Sequence, residues 1–424
     1  MGDRNSTSVS VSSRRARRAG RRGPGPVAWT FLGLGAGAVA GSAVAGVIGA
    51  LGTLFAREVV TPAQQPVENL AVRGLVTEGG RTDVVLARTP ESEKPGTYSL
   101  WFDADRGHAR LGEVTGIDAR ARTVRREVLA VDRGDLSAAR RGRLGSSVYL
   151  LPSDLGLDYS DVSVPVSAGE APAWLVPGGT RADTWAIMIH GRGATRVETL
   201  RALPAAHAAG MTSLVVSYRN DGDAPDVNNG RYGLGTTEWR DVDSAIDFAI
   251  SRGARDVVLF GWSMGGAIAL QVADRSQHRT RVQGLVLDGP AVNWFDILEH
   301  QAKINKIPYL SGRLGTWLLT HPWGKKITGL TAPLDLTSLD WVQRAPQLRT
   351  PTLILHSRDD EFVPYASTAA MTQKNPRMIT LESFDTADHV REWNVDPERW
   401  DGVVSAWLER LFTAPVPGLV PAPR

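Results

Sequence analysis

The sequence predicts an α/β fold, a mostly parallel sheet flanked by helices, in the second half of the chain. Three observations predict it. From about Asp161 onward, short apolar runs alternate with stretches of helical period, as in strands joined by crossover helices. The run Leu259-Phe260-Gly261-Trp262-Ser263-Met264-Gly265-Gly266 sits between one such strand and one such helix. Residues 291–345 then interrupt the alternation with a segment rich in large apolar side chains.

Taken in order, residues 1–26 are rich in Ser, Arg and Gly and read as a disordered basic tail. They hold seven arginines and one aspartate, so the formal net charge of +3 leaves −3 for the rest of the chain. A body with no net basic charge lacks the electrostatic footprint of a nucleic-acid-binding protein. Residues 27–56, thirty in all, carry no charged side chain. A helix needs about 20 such residues to cross the hydrocarbon core, so a single transmembrane helix in the lipid bilayer is expected here. The preceding arginines keep the tail in the cytoplasm and leave everything after Arg57 outside. A cleaved signal peptide is the alternative, although its apolar region usually runs only about 7–15 residues. Gly33, Gly37 and Gly41 have the small-xxx-small spacing that would allow a weak homodimer through this helix. A segment merely rich in Gly and Ala has the same spacing. The chain has no cysteine, hence no disulfide, thiolate metal site or cysteine nucleophile.

Residues 57–160 hold short β-type runs at 83–87, 98–102, 127–131 and 147–151, separated by polar, Gly- and Pro-bearing stretches. They read as an accessory β-rich region of hairpins or a small barrel, without a chemical motif. Arg140, Arg141 and Arg143 read as a solvated face.

The α/β region spans 161–412. Val162–Val166 and Ala173–Val176 suggest an opening antiparallel pair. Trp185–Ile189 is a continuous apolar strand ending in His190-Gly191-Arg192-Gly193, and residues 197–209 read as a helix closed by Gly210. Thr212–Arg219 is the next strand. Val242, Ala245, Ile246 and Ala249 repeat at helical spacing and form a buried stripe. Strands follow at 256–260, 284–288, 350–356 and 377–384. Asp396-Pro397 opens a final helix whose core face is Val403, Val404, Trp407, Leu408 and Leu411. The Pro-rich residues 413–424 read as disordered.

The G-x-S-x-G run is a nucleophile elbow when it joins a strand to a helix. The turn is tight, so the positions two before and two after the serine must lack bulk, as Gly261 and Gly265 do. The helix N-terminus and the Met264 N–H then face any oxyanion formed at Ser263.

With three further motifs the sequence resembles the α/β-hydrolase family over about residues 161–412. His190-Gly191-Arg192-Gly193 looks like the family's oxyanion loop, Asp360-Glu361-Phe362-Val363-Pro364 its acid loop, and Asp388-His389-Val390 its histidine loop. The resemblance implies an eight-stranded sheet, a helical cap at 291–345, a Ser263–His389–Asp360 triad, and oxyanion donors at the Arg192 and Met264 amides. A serine hydroxyl needs a base, and a histidine needs an acceptor at its other nitrogen to fix its tautomer. Asp359 competes with Asp360, but the Val-Pro spacing favours Asp360. Asp288, His190 and His356 read as structural. The remaining histidines show no metal-ligand spacing, and no cofactor is expected.

The cap is rich in aromatic and aliphatic residues, among them Tyr309 and Trp317. If it covers the site, it suits an acyl or other hydrophobic substrate. The expected function is therefore a membrane-anchored serine hydrolase of carboxylic esters. A serine aminopeptidase or prolyl-oligopeptidase-like peptidase, and a catalytically silent binding protein, use the same scaffold.

Overall fold

The computed structural model describes residues 40–62 and 67–413. Helix α1 runs over Ala40–Val60. The first 13 of the 30 residues of the expected transmembrane segment (27–39), with Gly33 and Gly37, lie outside the described residues. Among the described residues no helix is long and apolar enough to cross a membrane. The C-terminal part of α1 packs on the protein itself, with Phe55, Ala56 and Val60 buried.

The accessory region is a closed barrel. Its strands are β1 (Leu70–Glu78), β2 (Arg81–Ala87), β3 (Tyr98–Phe102), β4 (Gly107–Asp118), β5 (Thr123–Arg133) and β6 (Arg141–Gly145), in the order β1-β2-β5-β4-β3-β6. Val84, Leu86, Leu100 and Leu111 fill its interior. Arg126 is fully buried, and its guanidinium donates to the carbonyls of Gly112, Ser92, Lys94 and Gly96. A buried cation survives because each donor finds a carbonyl. The expected strand at 147–151 does not form. The Leu150 and Leu151 N–H groups donate to the Asp154 carboxylate, and Pro152 opens a short 3₁₀ turn there. Local capping takes the donors that a ladder would need.

The second sheet has eight strands: β7 (Ser160–Val166), β8 (Gly169–Val176), β9 (Arg181–Ile189), β10 (Met211–Val216), β11 (Asp256–Trp262), β12 (Val282–Asp288), β13 (Thr352–Ser357) and β14 (Ile379–Phe384). Their order is β14-β13-β12-β11-β9-β10-β8-β7. The six strands from β14 to β10 pair in parallel, and β8 and β7 extend the sheet antiparallel. Leu259, Ile187 and Leu214 point into one core cluster, and Val258, Ala186 and Val215 into the other. Both faces are covered, so the strands are apolar throughout.

Helices α2 (Leu203–Ala208), α3 (Trp239–Ser251) and α4 (Met264–Arg275) connect these strands, a short 3₁₀ stretch at Arg196–Ala202 preceding α2. The cap segment holds α5 (Trp294–Ile304), α6 (Tyr309–Thr320), α7 (Lys325–Thr328) and α8 (Trp341–Arg344). Then come α9 (Tyr365–Lys374), α10 (Glu392–Val395) and α11 (Pro397–Thr413). In α11, Trp400 joins Val404, Trp407 and Leu408 as the buried face, while Val403 and Leu411 are only partly buried. The Trp400 indole donates to Asp288 Oδ2 at 2.8 Å.

Helix α6 faces the protein with its small side. Ser311, Gly312, Gly315, Leu318 and Leu319 are buried. A Cβ at Gly52 of α1 would lie 2.9 Å from the Ser311 carbonyl, and one at Gly315 would lie 2.8 Å from Phe55. The two helices therefore approach glycine to glycine. Tyr309 and Trp317 are left on the outer side, 67% and 45% exposed. They line a groove of about 590 Å³ between α5 and α6 that does not include Ser263, Asp360 or His389. These two cap side chains therefore line an outer groove and not a pocket at Ser263.

Candidate active site

Ser263 joins β11 to α4 with φ 51° and ψ −115°, a strained backbone for a non-glycine residue. The strain is held from both sides. The Ser263 N–H donates to the Asp288 carbonyl, and the Ser263 carbonyl accepts from Gly266 and Ala291. A Cβ at Gly261 would meet the Gly265 carbonyl at 2.5 Å, and one at Gly265 would meet the Ile189 carbonyl at 2.2 Å. Glycine is the only residue that fits either position.

Ser263 Oγ lies 2.8 Å from His389 Nε2, and His389 Nδ1 lies 2.7 Å from Asp360 Oδ2. These three side chains come from loops after β11, β14 and β13, at the carboxyl edge of the parallel strands, where open α/β sheets bind ligands. Asp360 is buried and its Oδ1 accepts from the Phe362 and Val363 amides. His356 Nε2 adds a contact to Asp360 Oδ2 at 3.1 Å, and its Nδ1 meets Thr368 Oγ1 at 2.8 Å. His356 is thus a strand-end residue that orients Asp360. Burial alone would raise the Asp360 pKa, but His389 and His356 outweigh it and hold the carboxyl well below its usual range. Burial would likewise lower the pKa of His389, and the Asp360 charge outweighs it in the raising direction. Asp359 points elsewhere and accepts from the Thr386 amide. Asp288 is structural, between Trp400 and the Ser263 turn.

The loop after β9 is pinned by residues that the sequence did not single out. The Gly191 N–H donates to Glu198 Oε2 at 2.7 Å. The Gly193 N–H donates to the Tyr232 hydroxyl at 3.1 Å, which in turn donates to Asp221. The Tyr218 hydroxyl bonds the His190 and Gly191 carbonyls. His190 is buried, stacks on Tyr218, and is pushed by desolvation down to about 4, so it is neutral. Among the described residues, no hydrogen bond engages the Arg192 or Met264 amide. The Arg192 side chain turns away to donate to the Glu58, Val59 and Thr61 carbonyls at the end of α1.

The loop that carries His389 rests on the barrel. Lys94 pairs with Asp388, and Arg391 with Glu91. Asn394 bonds the Thr97 and Ser146 carbonyls. Phe362 packs 5.1 Å from the His389 ring. Phe362 had a signal in the acid-loop motif, whereas Glu198, Tyr218, Tyr232 and Asn394 had none.

Two family models match the sequence. Residues 71–145 match the family described as Domain of unknown function (DUF8805), and residues 175–406 match the Alpha/beta hydrolase family. No curated protein matches. Similar solved structures include the Pyrococcus furiosus esterase Pf2001, at 18% identity and TM-score 0.48 over 62% of this chain and 96% of that one. Another is the Pyrococcus horikoshii acylaminoacyl peptidase, at 12% identity and TM-score 0.45 over 80% of this chain and 55% of that one. A third is the esterase EaEST from Exiguobacterium antarcticum, at 18% identity and TM-score 0.42 over 59% of this chain and all of that one. The match over 175–406 covers more than half of the chain and spans the whole constellation around Ser263, so the chain belongs to the alpha/beta hydrolase family.

Proposed function

We propose that the chain is a serine hydrolase that cleaves carboxylic esters through an acyl-enzyme. The observation that carries this reading is the continuous contact from Ser263 Oγ through His389 to Asp360. His389 takes the Ser263 proton as Oγ adds to the ester carbonyl carbon. The Arg192 and Met264 amides, with no other partner among the described residues, receive the developing oxyanion. The carbonyl carbon then releases the alcohol oxygen, which leaves with the proton held by His389. Water repeats the sequence on the acyl-enzyme, and the acid departs as Ser263 regains its proton. Asp360 holds the histidine tautomer and stabilises the imidazolium without taking the proton.

A fluorophosphonate probe tests the nucleophile. One stoichiometric adduct is expected at Ser263, and none in Ser263→Ala. An adduct on another serine would end this reading. Turnover of p-nitrophenyl esters but not of aminoacyl anilides is expected; the reverse would make the chain a peptidase.

We also propose that the uncharged run 27–56 anchors the chain in a membrane through its earlier residues, with its body outside the cytoplasm, while Gly52, Phe55 and Ala56 at its end pack on the body. The uncharged run and the arginines before it support this. The protein should stay with membranes through an alkaline wash, and its body should be cleaved by protease added to intact cells. A body released by the wash, or protected in intact cells, would overturn the placement.

A further inference from the structure

The cap carries an unusual stretch. From His300 to Leu334 the chain holds Lys303, Lys306, Arg313, Lys325 and Lys326 and no Asp or Glu, in a body that is otherwise net acidic. All five cations are exposed. Among them stand exposed apolar residues: Tyr309 at 67%, Leu310 at 59%, Trp317 at 45%, Trp323 at 78% and Ile327 at 41%. The spacing explains the grouping. On α6, residues 309, 310, 313 and 317 fall on one side of the helix, and the buried Ser311, Gly315 and Leu318 on the other. The segment Pro322–Thr328 folds back onto α6, where a Cβ at Gly324 would collide with the Leu318 carbonyl at 1.8 Å. Helix α1 lies beside α6 through Gly52 and Phe55 and adds exposed Leu54.

We propose that this outer face of the cap rests on the surface of an anionic lipid bilayer. Three arguments select lipid. Tyr and Trp with one polar and one apolar end are suited to the headgroup region. Lysines can lay their stems along apolar surface while the ammonium groups reach phosphates, and a face on which these five cations outnumber the Glu299 carboxylate in the same groove complements an anionic leaflet. A protein partner fits less well, because lysine is depleted at protein interfaces whereas four lysines flank this patch. A face docked in this way would give the enzyme access to amphiphilic substrates at the lipid surface. The docking itself does not depend on the hydrolase reading.

The absence of cysteine supplies a clean test. The full chain is reconstituted in vesicles of neutral or mixed neutral and anionic phospholipid. Single variants Leu310→Cys and Trp323→Cys carry an environment-sensitive fluorophore, and Leu129→Cys on the barrel, 52% exposed, is the control. With anionic lipid, labels at 310 and 323 should shift to the blue, be quenched by lipid-borne spin label and resist aqueous iodide. The label at 129 should do none of this. Raising the salt, or the pair Lys325→Glu and Lys326→Glu, should remove the shift. Labels at 310 and 323 that iodide reaches as readily as the one at 129 would overturn the proposal. Shielding from both quenchers would also overturn it and show that protein, either the chain's own N-terminal residues or a second copy, covers the face. An equal shift on neutral vesicles would overturn the anionic specificity. None of these signals reads turnover, so their failure is distinct from a failure of the Ser263 assignment.

Discussion

The backbones of Thr97 and Asn394 are joined across nearly three hundred residues of chain. The Thr97 N–H donates to the Asn394 carbonyl at 2.8 Å, and Asn394 Nδ2 donates back to the Thr97 carbonyl at 2.8 Å. This reciprocal pair locks the barrel to the segment five residues beyond His389. The buried Arg126 holds the approach, since it binds the carbonyls of Ser92, Lys94 and Gly96 just before Thr97.

The barrel should therefore matter to turnover through the histidine loop. Gly96 has φ +100°, and a Cβ there would lie 2.0 Å from the Asn394 carbonyl. Gly96→Ala should cost on the order of 1–3 kcal/mol in strain and lower kcat by displacing His389. Gly116→Ala, where the nearest atom would be 3.9 Å away, should do neither. Thermal unfolding and ester kinetics on both variants check this. Unchanged kcat in a destabilised Gly96→Ala would separate the barrel from catalysis.

Asp360→Asn should leave the fold intact and cut turnover by about 10⁴, the cost of the comparable change in a serine protease. Asp359→Asn should stay near the parent rate, because that carboxylate serves the Thr386 amide. His356→Ala removes an orienting contact to Asp360 and should lower kcat with little change in KM. Steady-state kinetics on the three variants would expose a wrong choice of acid as a reversed order.

The pH profile follows from His389. The base must be neutral, and Asp360 raises its pKa above the ordinary 6.5. The acidic limb of kcat/KM should therefore lie above pH 6.5, with activity rising as the pH passes through it. A limb below 6.5 in the parent enzyme would mean that burial outweighs the Asp360 charge at His389.

Arg192→Ala would remove the guanidinium that clasps the end of α1 while keeping the amide assigned to the oxyanion. Loss of an oxyanion donor costs about 10²–10³, so a loosened loop should cost less than that. A fall in kcat with KM held is expected from progress curves. A rate equal to the parent would mean that Gly193 and Tyr232 fix the loop without the clasp.

The buried Glu392 carboxyl makes stability depend on pH. Glu392 Oε2 and Asp288 Oδ1 are buried without another partner, and desolvation followed by the Asp288 charge raises the Glu392 pKa well above 4.5. Below about 4.5 both folded and unfolded chains hold the proton. As the pH rises, the unfolded chain releases it first, so this group's contribution falls. Glu392→Gln keeps a neutral donor in place and should flatten the decline in Tm between pH 5 and 8. A slope identical to the parent's would place the proton elsewhere.

Much of this was determined by sequence alone. Periodicity revealed the strands and helices of the second half, because a parallel sheet covered on both faces must be apolar in continuous runs. Gly261 and Gly265 marked the elbow, because no other residue tolerates carbonyls at 2.5 and 2.2 Å from its Cβ. The motifs also singled out Ser263, Asp360 and His389 before their contacts were known. Only the tertiary structure decided what depends on contacts between distant segments. The pairing of β1, β4 and β6 into a closed barrel left no local signature, since their burial depends on partners far along the chain. Glu198 and Tyr232 look ordinary in sequence and acquire their roles only when the loop after β9 needs acceptors for its amides. The direction of Tyr309 and Trp317 was likewise not local: α6 turns its glycine side to α1 because two backbones can meet there, and that close approach sends the aromatic side chains outward.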